Sequence, residues 1–220
     1  MMRGAGYGLF VLTMALVLPA IALEQTGRPI SVDLSVIEPG AEPAEFTFWH
    51  TGEGEAGRWG IIADPTAANG RAIAQLSHDR TDYRFPLAIY KPFTGKDLEV
   101  SVSFKAVAGM ADQAAGIALR LLTPDDYYVA GANALQDIGG FDRMVKGQHE
   151  RLASASVKVS ASAWHTLALK AEGDRFTVFF DGRALIWAQD STLSDRGKVA
   201  LWAKTDSVTY FDTISITPLG

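Results

Sequence analysis

Short runs of alternating apolar and polar residues follow one another along most of the chain, separated by clusters of Gly, Pro, Asn and Asp. From Glu45 to Pro218 these runs recur roughly every 8–12 residues, a spacing typical of β-sandwiches and β-barrels. No segment of this region keeps the period of an amphipathic helix. The pattern therefore predicts a single all-β domain over residues 45–220, because no linker or internal repeat divides it.

The first hairpin that can be assigned a register joins Gly116–Leu122 to Tyr127–Asn133 through a four-residue turn containing Pro and Asp. Its register pairs three residues of each strand: Leu122 with Tyr127, Arg120 with Val129, and Gly116 with Asn133. Cross-strand partners share a face of the sheet. The hairpin therefore has a polar side and an apolar side, made of Arg120, Tyr127 and Asn133 on one and Ile117, Leu119, Leu121 and Tyr128 on the other.

Two later turns have the sequence of two-residue hairpin loops, Lys146-Gly147 and Asp181-Gly182. The first of them pairs oppositely charged residues across the hairpin, which supports this register. The pairs are Arg143 with Glu150 and Asp142 with Arg151. We expect both loops to have Gly at positive φ.

The second half of the chain contains a succession of characteristic motifs. They are GIALRL at 116–121, DDYYVAGANAL at 125–135, MVKGQHERLA at 144–153, WHTLALKAEGDRFTVFFDGR at 164–183, GKVALWA at 197–203 and YFDTISI at 210–216. Together they resemble the laminin-G-like and concanavalin A-like jelly rolls of bacterial secreted proteins, including the domains called 3-keto-disaccharide hydrolase domains. The resemblance implies a two-sheet antiparallel jelly-roll sandwich that binds saccharides across its concave face or edge loops. It specifies the fold rather than the activity, since the superfamily includes lectins, glycanases and interaction modules.

The closing strand of this pattern, Val208–Thr217, places one carboxylate on its largely apolar side, at Asp212. A buried charge is costly unless it is paired. In many jelly-roll carbohydrate-binding domains a carboxylate of this strand binds a structural calcium ion, and the resemblance implies Asp33, Glu42 or Glu45 as partners here. The alternative is an Asp that is hydrogen-bonded within an ordinary strand.

The first 22 residues have the layout of a secretory signal peptide. Arg3 is followed by the apolar stretch Gly8–Leu18, by Pro19 and by the small-residue triplet Ala20-Ile21-Ala22. An uncleaved anchor is the alternative, although the apolar run reaches only the lower length limit for a membrane span. We expect cleavage after Ala22, a secreted or periplasmic protein without a membrane span, and a leading segment at 23–44 before the domain.

Composition removes several classes of function. The formal net charge is −5, so the chain has no general attraction for the phosphate backbone of nucleic acids. It has no cysteine, which excludes disulfides, thiolate nucleophiles and Cys-ligated zinc. The sequence also lacks alternating catalytic carboxylates on one strand, His pairs with zinc spacing and a Gly-x-Ser-x-Gly elbow. No catalytic residue is therefore assigned.

The candidate ligand-binding residues lie on the predicted polar side of the two hairpins: Arg120, Tyr127, Asn133, Arg143, His149 and Glu150. Aromatic faces and directional hydrogen-bonding groups are what sugars require. The alternative is an ordinary solvated sheet face. These residues favour an exported carbohydrate- or glycoconjugate-binding module. A glycoside hydrolase of the 3-keto-disaccharide type and an envelope protein-interaction domain remain the alternatives.

Overall fold

The computed structural model describes Met1 and residues 27–220; residues 2–26, which include the rest of the predicted signal peptide, lie outside the described part. Residues 27–220 form fifteen β-strands and no helix, and therefore no helix there that could cross a membrane. The strands are β1 (Ile30–Ser31), β2 (Phe46–Gly52), β3 (Trp59–Ala63), β4 (Arg71–Gln75), β5 (Arg84–Gly95), β6 (Leu98–Ala108), β7 (Ala114–Thr123), β8 (Asp126–Asn133), β9 (Ile138–Val145), β10 (Gln148–Ser156), β11 (Trp164–Glu172), β12 (Arg175–Phe180), β13 (Arg183–Gln189), β14 (Gly197–Ala203) and β15 (Val208–Pro218).

Two antiparallel sheets form a sandwich, as predicted. The eight-stranded sheet has the order β13-β12-β11-β6-β15-β4-β3, with β1 paired to β15. The seven-stranded sheet has the order β10-β9-β8-β7-β14-β5-β2. The apolar residues of both inner faces form one core, to which Phe104, Ile117, Tyr128 and Phe176 all belong. Leu34, in the predicted leading segment, is buried in the same core, so the sandwich begins before residue 45.

Different parts of the chain form the two ends of the sandwich. At one end Gly27 meets the C-terminal residues, since it donates a backbone hydrogen bond of 2.8 Å to Pro218 and Leu219 donates one of 2.9 Å to Asp97. The opposite end has the loops that cross between the sheets at 109–113 and 204–207, and the β8–β9 turn at 134–137. We call this second end the loop end.

Two predicted hairpin loops are confirmed. Lys146 and Gly147 have φ values of 50° and 72°, and Asp181 and Gly182 have values of 47° and 74°. The pairing of Arg143 with Glu150 is confirmed, as is that of Asp142 with Arg151. Glycine tolerates positive φ without steric cost, which explains its place in both loops.

The register of the first hairpin is wrong beyond its tip. Thr123 pairs with Asp126, but the next regular pair is Leu119 with Tyr128, so β7 contains a bulge between them. Arg120 lies in this bulge with φ of 49°. The bulge directs Arg120 toward Phe176 in the core, with the guanidinium 5.1 Å from the ring centroid, and it places Leu121 on the outer face of the sheet. Gly116 consequently pairs with Gly131 rather than with Asn133; the predicted inner positions of Ile117, Leu119 and Tyr128 are confirmed.

A second bulge corrects the prediction for the last strand. Thr213 has φ of 49°, and β15 gains one residue relative to β6 between Asp212 and Ser215. Phe211 and Ile214 therefore both face the core, while Asp212 does not belong to the apolar row. The Asp212 carboxylate accepts backbone N–H groups from Ala68 and Thr213, each at 2.7 Å.

Calcium binding by Asp212 stays a prediction; in the structure both of its carboxylate oxygens accept backbone N–H donors, as in the hydrogen-bonded alternative. Asp33, one of the expected partners, accepts hydrogen bonds from Ser35 instead. Within the part of the chain that the structure describes, no group of three or more His, Cys, Asp or Glu side chains is placed to hold a metal ion.

Candidate functional site

The outer face of the seven-stranded sheet has an apolar cluster of its own, called here the outer cluster. It includes Phe85, Tyr127, Met144 and Trp202, and all of them are buried although they lie on the side away from the core. The end of β2, Tyr83 and the start of β5 lie over this cluster and are called here the cover. Phe85 stacks on Trp202 and on His149, with ring centroids 5.6 and 5.5 Å apart.

Hydrogen bonds attach this cover to the β7–β8 and β9–β10 turns. The Tyr83 hydroxyl donates to the carbonyl of Gly147 at 2.9 Å and accepts the N–H of His149 at 2.6 Å. Thr51 donates its hydroxyl to the carbonyl of Pro124, and its oxygen lies 3.0 Å from the Tyr127 hydroxyl. Burial raises the pKa of Tyr127, which is completely enclosed. The covered half of the outer face is thus closed to a ligand.

Arg84 joins the cover to the loop end. Its side chain is fully buried, and it donates to the carbonyls of Glu55 and Thr205, both at 2.5 Å. Asp79 lies 3.4 Å from the guanidinium Nε. Arg84 therefore fixes the loops that flank the cover to the loop before β15. That loop also contains Lys204, which lines a pocket on the same face of the sheet.

The uncovered part of the outer face is a shallow pocket near the loop end, with a cavity volume of about 40 Å³. Its lining comes from β7, β8, β9, β10, β14 and two loops: Ala114, Gly131, Ala132, Asn133, Gln136, Ile138, Gly140, Asp142, Arg151, Trp202 and Lys204. Such a volume admits a few water molecules.

Glycines form the floor of this region because large side chains lie flat against the sheet. Gly116 pairs with Gly131, and Gly131 pairs with Gly140, so the three form one row across β7, β8 and β9. A Cβ atom at Gly116 would lie 2.8 Å from the Trp202 ring. A Cβ atom at Gly140 would lie 2.8 Å from the guanidinium carbon of Arg151. Only glycine lets both side chains approach the backbone this closely.

Arg151 and Asp142 form an ion pair on one wall. The Arg151 Nε donates to Oδ1 of Asp142, and His149 Nε2 lies 3.3 Å from Oδ2. The Asp142 side chain is 5% exposed, whereas that of Arg151 is 44% exposed. The buried Asp142 carboxylate therefore orients the Arg151 guanidinium, and the guanidinium is the part of the pair that solvent can reach.

A second polar network forms the wall at the loop end. Asp112, which is buried, accepts a hydrogen bond from Asn133 Nδ2 at 2.7 Å and lies 3.2 Å from the Lys204 ammonium. The loop itself is held by Asp206, which accepts the backbone N–H groups of residues 110–112 at 2.7–3.2 Å. Burial opposes the ionisation of Asp206, but these N–H donors outweigh it and lower its pKa. Lys204 is thus the second cation with a buried carboxylate behind it.

Comparisons with known proteins identify the fold. No family model matches the chain, and no curated protein matches its sequence. Among solved structures, the carbohydrate-binding module CBM66 from Bacillus subtilis is similar, with a TM-score of 0.58 and 23% identity over 76% of this chain and 92% of that one. The fold is a two-sheet antiparallel jelly-roll sandwich.

Two other solved structures share this jelly roll. A Bacillus subtilis protein of unknown function with a galectin-like fold has a TM-score of 0.55 and 9% identity over 78% of this chain and 89% of that one. The globular domain of T. cruzi calreticulin has a TM-score of 0.51 and 15% identity over 79% of this chain and 84% of that one. At these identities the likeness concerns the fold alone.

The structure separates the six residues predicted to bind ligand. Asn133 lines the pocket, and His149 adjoins it through Asp142. Tyr127 lies on the same face, but the predicted exposure of Tyr127 is wrong because the cover encloses it.

Three of the predicted residues lie away from this face. Arg120 is 1% exposed and donates to the carbonyls of Lys96, Leu193 and Gly173, so its predicted exposed position is wrong. Arg143 and Glu150 bond to each other at 2.7 Å on the opposite side of β9 and β10. Arg143 also lies 2.6 Å from Asp190, in the loop after β13.

The residues that the sequence did not assign to a site are Arg151, Asp142, Lys204, Asp112 and Trp202. The pairing of Asp142 with Arg151 supported the register of a hairpin, but charge pairing alone does not show which face is accessible. Gly139-Gly140 within a strand was the available signal, since glycine inside a strand marks a close approach to the backbone.

Proposed function

We propose that this jelly roll is an exported carbohydrate-binding module and that the pocket near the loop end is its binding site. The observation that carries the proposal is a pocket in which donors are held at fixed positions by buried carboxylates. Arg151 is held by Asp142, and Lys204 by Asp112. Sugar hydroxyl groups require such directional partners, and preorganised side chains lose less entropy on binding.

Three features support binding in preference to catalysis. The pocket is shallow, and its polar groups surround a floor of small residues. Asp112 and Asp142, its two nearby carboxylates, are both engaged with cations, whereas hydrolysis of a glycoside needs a carboxyl group that can donate a proton. The solved structure of CBM66 is itself described as a carbohydrate-binding module, and its fold matches over most of both chains. Export rests on the sequence of residues 1–22.

The test is a glycan array followed by titration calorimetry, using the parent and two pocket variants. Gly131→Ala places a methyl group 3.5 Å from the Trp202 ring, which is ordinary contact, so it narrows the pocket without disturbing the sheet. Arg151→Ala removes the exposed donor. We expect each variant to weaken binding at least about tenfold, Gly131→Ala because the methyl group narrows the pocket and Arg151→Ala because a charge-assisted hydrogen bond is lost.

Matched controls are Gly60→Ala and Arg196→Ala. A Cβ atom at Gly60, in the other sheet, would meet only the Ala41 carbonyl at 3.8 Å. Arg196 is exposed and bonds to the Thr94 carbonyl at 3.0 Å, far from the loop end. Both controls should bind as tightly as the parent. A parent that binds no glycan, or pocket variants that bind like the controls, would refute the proposal.

A further inference from the structure

We propose that the pocket receives the carboxylate of an acidic sugar, such as a uronic acid at the end of an oligosaccharide. This inference rests on the proposed function and specifies its ligand class. The structural basis is the pair of cations, Arg151 and Lys204, that reach the same small pocket from β10 and from the loop before β15.

The accessible edge of Arg151 matches a carboxylate. Only Nε has a protein partner, the carboxylate of Asp142, and within residues 27–220 the two Nη groups have no acceptor. The guanidinium lies flat on Gly140, where a Cβ atom would be 3.0 Å from both Nη atoms. Its outer edge therefore presents two parallel N–H groups at a fixed position. A planar carboxylate accepts such a pair in bidentate fashion.

Lys204 supplies the second positive charge. Its ammonium has one partner within the described range, the Asp112 carboxylate, and an ammonium group has three donors. The Lys204 side chain is 32% exposed, whereas that of Asp112 is 7% exposed. As with Arg151 and Asp142, the cation is accessible and its counter-charge is buried.

The charge distribution favours an anion on a saccharide over a polyanion. The chain as a whole has a formal net charge of −5, so a long phosphate or sulfate polymer would be repelled by most of the surface. The cavity of about 40 Å³ is small, which favours one carboxylate group over a run of anionic groups. Asp142 does not oppose this anion directly, because its oxygens already face Arg151 and His149.

The experiment measures the affinity of the parent for oligosaccharides in matched acidic and neutral pairs. The probes are galacturonate and galactose, glucuronate and glucose, mannuronate and mannose, and sialylated and asialo chains of equal length. We expect at least one acidic member to bind about tenfold or more tightly than its neutral partner, and salt to reduce this preference by screening. Arg151→Gln and Lys204→Gln should each remove the preference, while Arg196→Gln should leave it unchanged.

Other outcomes distinguish the two proposals. Equal binding of acidic and neutral partners that is still weakened by Gly131→Ala would overturn the carboxylate assignment and leave the binding module intact. Acidic sugars that bind equally to the parent and to both Gln variants would place the anion elsewhere and would also overturn it. Binding of neither class would remove the proposed function together with this inference. Thermal unfolding of each variant shows that it is folded before its affinity is compared.

Discussion

Two fully buried arginines, Arg84 and Arg120, donate hydrogen bonds to loops at the two ends of the sandwich, and neither is available to a ligand. Arg84 donates to carbonyl groups near the loop end, and Arg120 donates to carbonyl groups at the opposite end, where Gly27 meets Pro218. Burial lowers the pKa of both side chains, and nearby carboxylates such as Asp79 and Asp97 oppose that shift. Each arginine therefore replaces its hydration with several fixed acceptors, the condition under which a buried charge is tolerated.

Replacing Arg120 by Met should destabilise the protein by about 3 kcal/mol, because Asp97 and three loop carbonyls lose their shared donor. The midpoint of urea unfolding measures this loss. Arg196→Met is the control, since Arg196 is exposed and donates one hydrogen bond within residues 27–220, to the Thr94 carbonyl at 3.0 Å. An Arg120→Met protein as stable as this control would show that the buried guanidinium contributes little.

At the scale of strands, the cover over the outer cluster depends on Asp79. Its carboxylate accepts the backbone N–H of Glu55 at 2.8 Å and two hydrogen bonds from Thr81. The hydrogen bond from Glu55 contributes most to lowering the pKa of Asp79 to about 2. Since the pKa is lower in the folded state, Asp79 stabilises the protein above its unfolded pKa near 3.8, and this stabilisation disappears as the pH falls toward 2.

Asp79→Asn should therefore lower the free energy of unfolding by about 1–2 kcal/mol at neutral pH, after allowance for partial exposure, and by much less near pH 2. Urea unfolding at a series of pH values measures the difference from the parent. Asp195→Asn, which removes the same charge from an exposed position, is the control. A constant difference between parent and Asp79→Asn across the pH range would contradict this account.

Alternation and turn residues predicted most strands and the confirmed hairpin loops, because these features depend on local sequence. The two bulges could not be predicted in this way. Both place a non-glycine residue, Arg120 or Thr213, in the left-handed region, a conformation that the sequence does not mark. Each bulge changes which side chains face the core, so Arg120 and Asp212 lie on different sides from those their positions in the pattern indicate.

The pocket was still harder to predict, because its residues belong to several strands and two loops that meet only in the folded sheet. Asn133 was found because it shares a face with Tyr127. Lys204 and Asp112 lie in loops without periodicity, and their proximity depends on pairing between β14 and β7. The cover over Tyr127 depends on contacts from Thr51 and Phe85, which lie more than forty residues earlier in the chain.

For the molecule as a whole, export is the expectation that the sequence of residues 1–22 supports. We predict a mature N-terminus at Leu23 or Glu24, because the Ala20-Ile21-Ala22 triplet has the small residues that signal peptidases require. Mass spectrometry of the protein from its native host measures the terminus. Intact Met1 in the membrane fraction would instead identify the segment as an anchor.

The contact between Gly27 and Pro218 bears on how the molecule would be oriented when it is attached to something else. Gly27 and Pro218 are joined at one end of the sandwich, and Lys204 and Asn133 lie toward the other. A tether, a surface or a neighbouring domain joined at Gly27 or after Pro218 would therefore lie at the end of the sandwich opposite the loop end. The pocket would then lie toward the end of the molecule that is farther from the point of attachment.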